Sequence, residues 1–370
     1  MTSEERREIR YQRRKAKRDE ARKTKSLSCG DFDEVFSFRH LYLSGKKCCK
    51  GVYWKNSTQR YIGNLIPNIA ATWKALQTGT FKHRGFHEFY IMERGKKRHI
   101  RSVHISERTV QKCLCDYCIV PIYSSSFIYD NSASLKHRGM DFALRRLMRH
   151  LKRHFRKHGL TGGILVYDFK SFFDEAPHAP LLRESKRRLH DDRVRELHNS
   201  FISDFGPVGL GLGSQISQTN ALLLPSPLDH YFKEKLDIKG YARYMDDGYA
   251  IHEDIDYLKT ECIFGLEMMC DRLGLRLNWK KTRVIPLADY FQVHYHFNWQ
   301  SGFENEPGFH QTDSQKTSFF SGKVEKRGND PGRYSMFRRQ LPRPHEARKQ
   351  LQGERTDQSI CEIPVWVLSK

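Results

Sequence analysis

The sequence predicts an α+β protein, and three observations carry that expectation. Apolar residues recur at helical spacing in long runs at 64–81, 107–123, 140–159, 179–205 and 258–275. Short apolar and aromatic segments bounded by turn residues read as strands at 87–105, 162–168, 241–250, 276–287 and 290–299. Hydrophobic residues make up 38% of the 370 and aromatics alone 12%, enough to bury a sizeable core.

Taken in order, residues 1–25 are highly charged and almost without apolar residues, which suits either a solvated helix or a disordered arm. "NLIPNIAATWKALQTGTF" (64–81) predicts a helix ending at Gly79. "HEFYIMERGKKRHIRSVHI" (87–105) predicts two strands around a basic turn, Arg94 to Arg98. "ERTVQKCLCDYCIVPIY" (107–123) reads as a helix stopped near Pro121, and "MDFALRRLMRHLKRHFRKHG" (140–159) as one with a strongly basic outer face, stopped at Gly159. A buried-type strand follows at 162–168, then amphipathic helix over 179–205 and a glycine-rich loop entering a helix at 206–224. Pro225 and Pro227 predict that this helix is short or kinked. The hairpin "YARYMDDGYA" (241–250), a helix closed by Gly274, and strands at 276–287 and 290–299 complete the ordered pattern. After about residue 300 the chain turns polar, basic and rich in Gly and Pro.

The formal charge is +22, from 65 Lys+Arg against 43 Asp+Glu. An excess of this size points first to a polyanionic partner, of which nucleic acid is the commonest; a basic surface kept for solubility is the plainer alternative. No apolar run reaches the roughly 18–20 residues of a membrane span, and the charged N-terminus lacks an apolar leader. A soluble, cytoplasmic chain with no membrane partner is therefore expected. The nine cysteines are odd in number and irregularly spaced, unlike a disulfide framework. "CLCDYC" lacks the second half of a zinc motif, so Cys113, Cys115 and Cys118 are expected to be buried thiols on a helix. "HYH" (294–296) is expected to be a strand face rather than a metal site.

Three acids stand apart. Asp246 and Asp247 interrupt an apolar hairpin, and Asp168 ends the apolar strand "ILVY". Asp-Asp-Gly is also a good turn by itself. Clustered like charges are costly unless a cation offsets them, and Mg²⁺ favours a few carboxylates together with substrate phosphates. Two such ions about 3.5–4 Å apart can activate an attacking hydroxyl and steady the leaving oxygen at phosphorus. With the basic content, this points to nucleotidyl transfer on a nucleic-acid template.

In this order the segments resemble a reverse transcriptase over roughly residues 31–300. "YDFKSFFD" (167–174) resembles the first palm motif, "RYMDDGYAI" (243–251) the Y-x-D-D motif, and "GLRLNWKKT" (274–282) the palm motif after it; "GKKRHIRSVHISERTVQKCL" (95–114) resembles the fingers segment that holds the incoming triphosphate. The resemblance implies a right-hand polymerase: an RRM-like antiparallel palm sheet packed on helices, fingers, and a short, atypical helical thumb. It implies a basic arm at 1–30, fingers at 31–160, a palm at 161–300 with a fingers insert near 180–205, and a short thumb and basic tail at 301–370. It makes Asp168 and Asp246 the holders of two catalytic Mg²⁺ ions, with Mn²⁺ as a substitute, and Asp247 a more peripheral acid. Phe173 becomes the steric gate against a 2′-hydroxyl, and Lys97, Arg98, Phe169, Gln218 and Lys281 join it in dNTP binding, with Lys96 an alternative to Lys97. Core phenylalanine and solvated lysine remain the plain readings of these residues.

The loop "LGSQISQ" (212–218), through Gly213, Ser217 and Gln218, resembles the signature of the diversity-generating retroelement enzymes, bacterial and phage relatives of group II intron reverse transcriptases. Those enzymes are error-prone at template adenines and make cDNA from a dedicated RNA for mutagenic retrohoming, helped by a small basic accessory protein. Ser217 could equally cap the following helix. Leu222 stands where that family commonly has Asn, and "YFQVHYHF" lacks the usual primer-grip glycine. An antiviral enzyme copying its own noncoding RNA is the alternative role. An RNA-dependent RNA polymerase and an inactive RNA-binding scaffold are the competing classes, opposed by Phe173 and by the three acids respectively.

Overall fold

The computed structural model describes residues 2–93 and 95–294. The expected thumb and tail, Arg94, and the end of "HYH" lie outside them. The main helices before the first hairpin are α1 (Ser3–Cys29), α2 (Phe38–Cys49) and α3 (Leu65–Gln77), with shorter ones at Phe32–Val35 and Asn56–Gly63; the hairpin β1 (Phe86–Glu93) and β2 (Lys96–Val103) follows. Next come α4 (Ile105–Leu114), α5 (Met140–His158), β3 (Gly163–Asp168), α6 (His178–Arg188), α7 (Asp192–Ser203) and α8 (Gln215–Leu223). The chain continues through β4 (Gly240–Tyr244), β5 (Asp247–His252), α9 (Ile263–Leu273), β6 (Arg283–Pro286) and α10 (Leu287–His294). The architecture is α+β. No helix among the described residues is long and apolar enough to cross a membrane.

The central sheet has the order β4-β5-β3-β6, antiparallel at every pairing. All six residues of β3 are buried, as its unbroken apolar run requires. Side chains alternate across the sheet, so Tyr249 and Tyr241 on adjacent strands face opposite ways. Tyr249 meets α5, where its hydroxyl lies 3.0 Å from His150 Nδ1. On the other face Tyr241 and Tyr167 share a 2.7 Å hydroxyl contact. Helix α5 buries Ala143, Leu147, His150 and Leu151, exposes Arg145, Arg149, Arg153 and Arg156, turns Arg146 inward onto Asp130, and ends at Gly159.

The N-terminal segment is helical. Thr2 and Glu5 form a reciprocal capping box, and near its far end Ser26 is buried and accepts the His190 N–H at 3.2 Å. The helical segment expected over 179–205 forms as two helices, α6 and α7, because Asp191 accepts the Val194 N–H and starts α7. Pro121 does not stop its helix. A wide π turn at Cys115–Ile119 precedes it, and helix resumes through Val120–Ser124. Cys113, Cys115 and Cys118 are buried there, and burial pushes the Cys113 and Cys115 thiols up to about 12.

The strand expected at 290–299 is corrected over its described part. Residues 287–294 are helical, with Leu287 and Tyr290 buried at the i, i+3 spacing of one helical face. The basic turn at 94–98 is shorter than expected, since Lys96, Lys97 and Arg98 already belong to β2. Apart from the central sheet, β1 and β2 form their own two-stranded ribbon.

Candidate active site

The sheet register brings the acids together. Asp168, the last residue of β3, is the cross-strand partner of Asp247, the first residue of β5. Tyr244 also pairs with Asp247, so Met245 and Asp246 alone span the turn from β4 to β5. Met245 adopts a left-handed φ of 54°, a costly conformation for a side chain of its kind. Phe169 N–H donates to the Asp246 carbonyl at 3.3 Å, tying the turn to the end of β3.

The turn is held from within. Arg243 has no exposed side-chain surface; it donates through Nε and Nη2 to Asp229 at 2.7 Å each, through Nη1 to Met245 O at 2.7 Å, and through Nη2 to Leu222 O at 2.9 Å. Tyr241 donates to the same Asp229 at 2.7 Å. Sequence reading missed Arg243 and Asp229, whose pairing spans two elements and has no local pattern. Gly248 is required beside the turn, since a Cβ there would lie 2.3 Å from the Tyr167 ring.

Like charges directly opposite across a strand pair are unfavourable. Burial, then the Asp168 charge, pushes Asp246 up to about 6. Burial, then the Asp246 and Asp168 charges, holds Asp247 well above the usual carboxylate range. Lys281 Nζ donates to Asp168 Oδ2 at 2.6 Å. Burial opposes its charge, yet the hydrogen bond to Asp168 and the fields of all three acids keep it above the usual lysine value. Asp247 is 6% exposed, and its Oδ1 has no hydrogen-bond partner among the described residues. A buried, unpartnered carboxylate oxygen among three acids fits a divalent cation, which takes oxygen ligands and offsets the charge.

The remaining expected residues divide. Arg98 reaches the cluster electrostatically, its charge favouring ionised Asp246. Lys97 does not. It stands on the opposite face of β2 with Nζ 4.2 Å from the Tyr90 ring centroid. The Phe169 ring is 2% exposed and packs on Tyr167 and Phe172. Phe173 is half-buried, edge-on to Phe172.

The glycine loop runs against the turn after β3. Gly209 N–H donates to Ala176 O at 2.8 Å and Leu210 N–H to Phe173 O at 2.7 Å. Ser217 does not cap α8. Ser214 does, accepting the Ser217 N–H, while Ser217 Oγ donates to Leu210 O. A chain of contacts thus runs from Ser217 through Leu210 to Phe173. Gly213 has φ 115°, a glycine conformation, where the loop meets β2: Arg101 N–H donates to Leu212 O at 3.0 Å. Gln218 is exposed on the first turn of α8.

No family model matches the chain, and no curated protein matches it. Among solved structures it is similar to a "Partial Cas6-RT-Cas1--Cas2 complex" and a "Cas6-RT-Cas1--Cas2 complex", each at 14% identity and a TM-score of 0.36 over 61% of this chain. The matched parts cover 38% and 24% of those chains, so this chain spans well under half their length. Likeness at this level carries no conclusion about activity.

Proposed function

We propose that this chain is an RNA-directed DNA polymerase that extends a DNA strand by nucleotidyl transfer from dNTPs. The observation that carries the reading is the register pairing of Asp168 with Asp247, with Asp246 in the adjoining turn and Lys281 on Asp168. Asp168, Asp246 and Asp247 would hold Mg²⁺, or Mn²⁺ in its place. Bound there, the ions would supply activation of the attacking hydroxyl and stabilisation of the leaving oxygen. Lys281 and Arg98 place positive charge beside the acids, where triphosphate oxygens accept charge-assisted bonds. In the proposed palm, the Arg243 network keeps the acid-bearing turn rigid, as a preorganised site requires. Phe173 borders the glycine loop as the sugar-side gate.

The finer role follows from the same loop. Gly213, Ser217 and Gln218 support an enzyme of the diversity-generating type, copying a dedicated template RNA into cDNA with errors at adenines. The test is extension of a primer on an RNA template with Mg²⁺, comparing dNTPs with NTPs and the intact chain with Asp246→Asn. Incorporation of dNTPs that the substitution abolishes is expected. Preference for NTPs, or activity that survives Asp246→Asn, sinks the reading. Misincorporation opposite adenine above that opposite the other bases tests the finer role.

A further inference from the structure

A groove lies along α6, away from the acids, and shares no lining residue with them. It consists of two adjoining hollows of about 790 and 550 Å³, walled by α1, α6, the short helix Ser226–His230 and α9. Arg18, Arg22 and Lys25 enter it from α1 at the i, i+4, i+7 spacing of one helical face. Arg187 and Arg188 enter from α6 and Arg272 from α9. The second hollow adds Arg183 and Lys235. Two acids line the groove, Glu184 and Glu234. Glu184 accepts from both Arg187 and Arg188 at 2.7 Å, and Glu234 is taken by His230 at 2.7 Å. Arg22 pairs with Asp19 at the rim.

These cations come from segments far apart in sequence, and the fold holds them together. The Ser26 contact with His190 fixes the α1 end that carries Arg22 and Lys25 beside α6. Burial, then the charges of Arg187 and Arg188, depress the Arg22 pKa against Asp19 and Glu184. Such a gathering of like charge is unfavourable without an anion. The groove follows an 11-residue helix, about 16 Å at 1.5 Å per residue, which exceeds one small anion and suits successive phosphates of a strand. Pro227 adds an exposed apolar surface to its wall, over the buried Leu181 and Leu223.

We propose that this groove binds the phosphate backbone of a single-stranded RNA segment, as a second RNA contact apart from the acidic cluster. The proposal rests on the polymerase reading for its choice of RNA. Its test uses the full chain and the Arg22→Gln/Arg187→Gln/Arg272→Gln variant, all three positions being solvent-accessible. Binding of a labelled single-stranded RNA of about 30 nucleotides is followed by anisotropy across a salt series. The expected result is affinity about tenfold weaker near physiological salt, with a log–log salt slope shallower by about 2, at roughly 0.7 per lost phosphate contact. Extension of a short primer–template is expected to stay unchanged. Equal affinity and slope in the two proteins overturn the proposal. So does full competition by polyglutamate at equal charge, which would assign the groove to an acidic protein segment, or by tripolyphosphate, which would make it a small-anion pocket. If the intact chain incorporates no nucleotide while the variant still loses RNA affinity, the polymerase reading fails and the groove stands.

Discussion

Arg243 and Asp229 form an ion pair in which neither side chain has any exposed surface, and the same guanidinium holds the carbonyl of Met245. Burying two charges is repaid only by good geometry and further hydrogen bonds. Here the fork meets both Asp229 oxygens, and the remaining donors meet the carbonyls of Met245 and Leu222. The pair therefore connects the end of α8 to the turn that carries the acids. Asp229→Ala, which strands the arginine, is expected to cost about 3–5 kcal/mol in denaturant unfolding. Arg243→Lys keeps a charge but loses the fork, so it should fold yet need more Mg²⁺ for half-maximal incorporation. An unchanged Mg²⁺ dependence in Arg243→Lys would cut the link between the pair and the turn.

Without a cation, the acids repel one another. Asp247→Asn removes one charge from the facing pair and is expected to raise the melting temperature of the metal-free chain by a few degrees, about 1 kcal/mol. Millimolar Mg²⁺ should stabilise the intact chain through binding to the folded state and stabilise the variant less. Calorimetry with and without Mg²⁺ reads both. A variant less stable than the intact chain in chelator would mean that the acids are already compensated.

A partly exposed contact sets a pH dependence. His83 Nδ1 lies 2.6 Å from Asp204 Oδ2 and 3.5 Å from Glu107 Oε1. The hydrogen bond to Glu107 outweighs burial, and with Asp204 it holds His83 above the usual histidine value. Asp204 is itself pushed up, because burial and Glu107 outweigh His83, and that effect acts in the acid range. For His83 the folded chain holds its proton more tightly. The stabilisation is full below the unfolded value of about 6.5 and fades as pH rises through the folded value. His83→Asn should therefore lose most stability at about pH 6 and progressively less toward pH 9, read as melting temperature across that range. A difference independent of pH would remove the charge from the account.

Periodicity made much of this fold legible. The hairpin at 240–252, the strand ending in Asp168, and the ends at Gly159 and Gly274 all follow from local apolar spacing and glycine placement. Residues 287–294 misled because a short run rich in Tyr, Phe and Val reads as strand until the burial of Leu287 and Tyr290 shows its helical face. Pro121 misled because a π turn is invisible to composition. Within the site, the three acids were legible as residue types, whereas their pairing is a matter of register. Asp229, Arg243 and the capping role of Ser214 depend on contacts between distant segments, which no single stretch encodes.

Gly248 tests how tightly the turn is seated. A Cβ there would meet Tyr167 Cζ and its hydroxyl at 2.3 Å, and Tyr167 is fully enclosed and joined to Tyr241. Gly248→Ala must displace that ring, an overpacking expected to cost about 1–3 kcal/mol. Combining it with Tyr167→Leu should recover part of the loss, because the leucine leaves the space the ring occupied. Additive losses in the double variant, measured by denaturant unfolding, would place the strain elsewhere.

Phe173 tests the chemistry of the sugar side. Its ring rests edge-on to Phe172 with 5.5 Å between centroids, and its carbonyl accepts the Leu210 N–H, whose own carbonyl is bonded by Ser217. Phe173 is thus supported from the core on one side and from the glycine loop on the other. Excluding a hydroxyl by contact depends on a ring that does not yield. Phe173→Val should raise the ratio of kcat/KM for NTPs to that for dNTPs by about ten- to a hundredfold, with the dNTP term falling less than the NTP term rises. Ser217→Ala leaves the ring but removes its support through Leu210, so a smaller rise of the same sign is expected. Primer extension with single nucleotides measures both. If Phe173→Val lowers both substrates equally, the ring is a packing residue and discrimination lies elsewhere in the pocket.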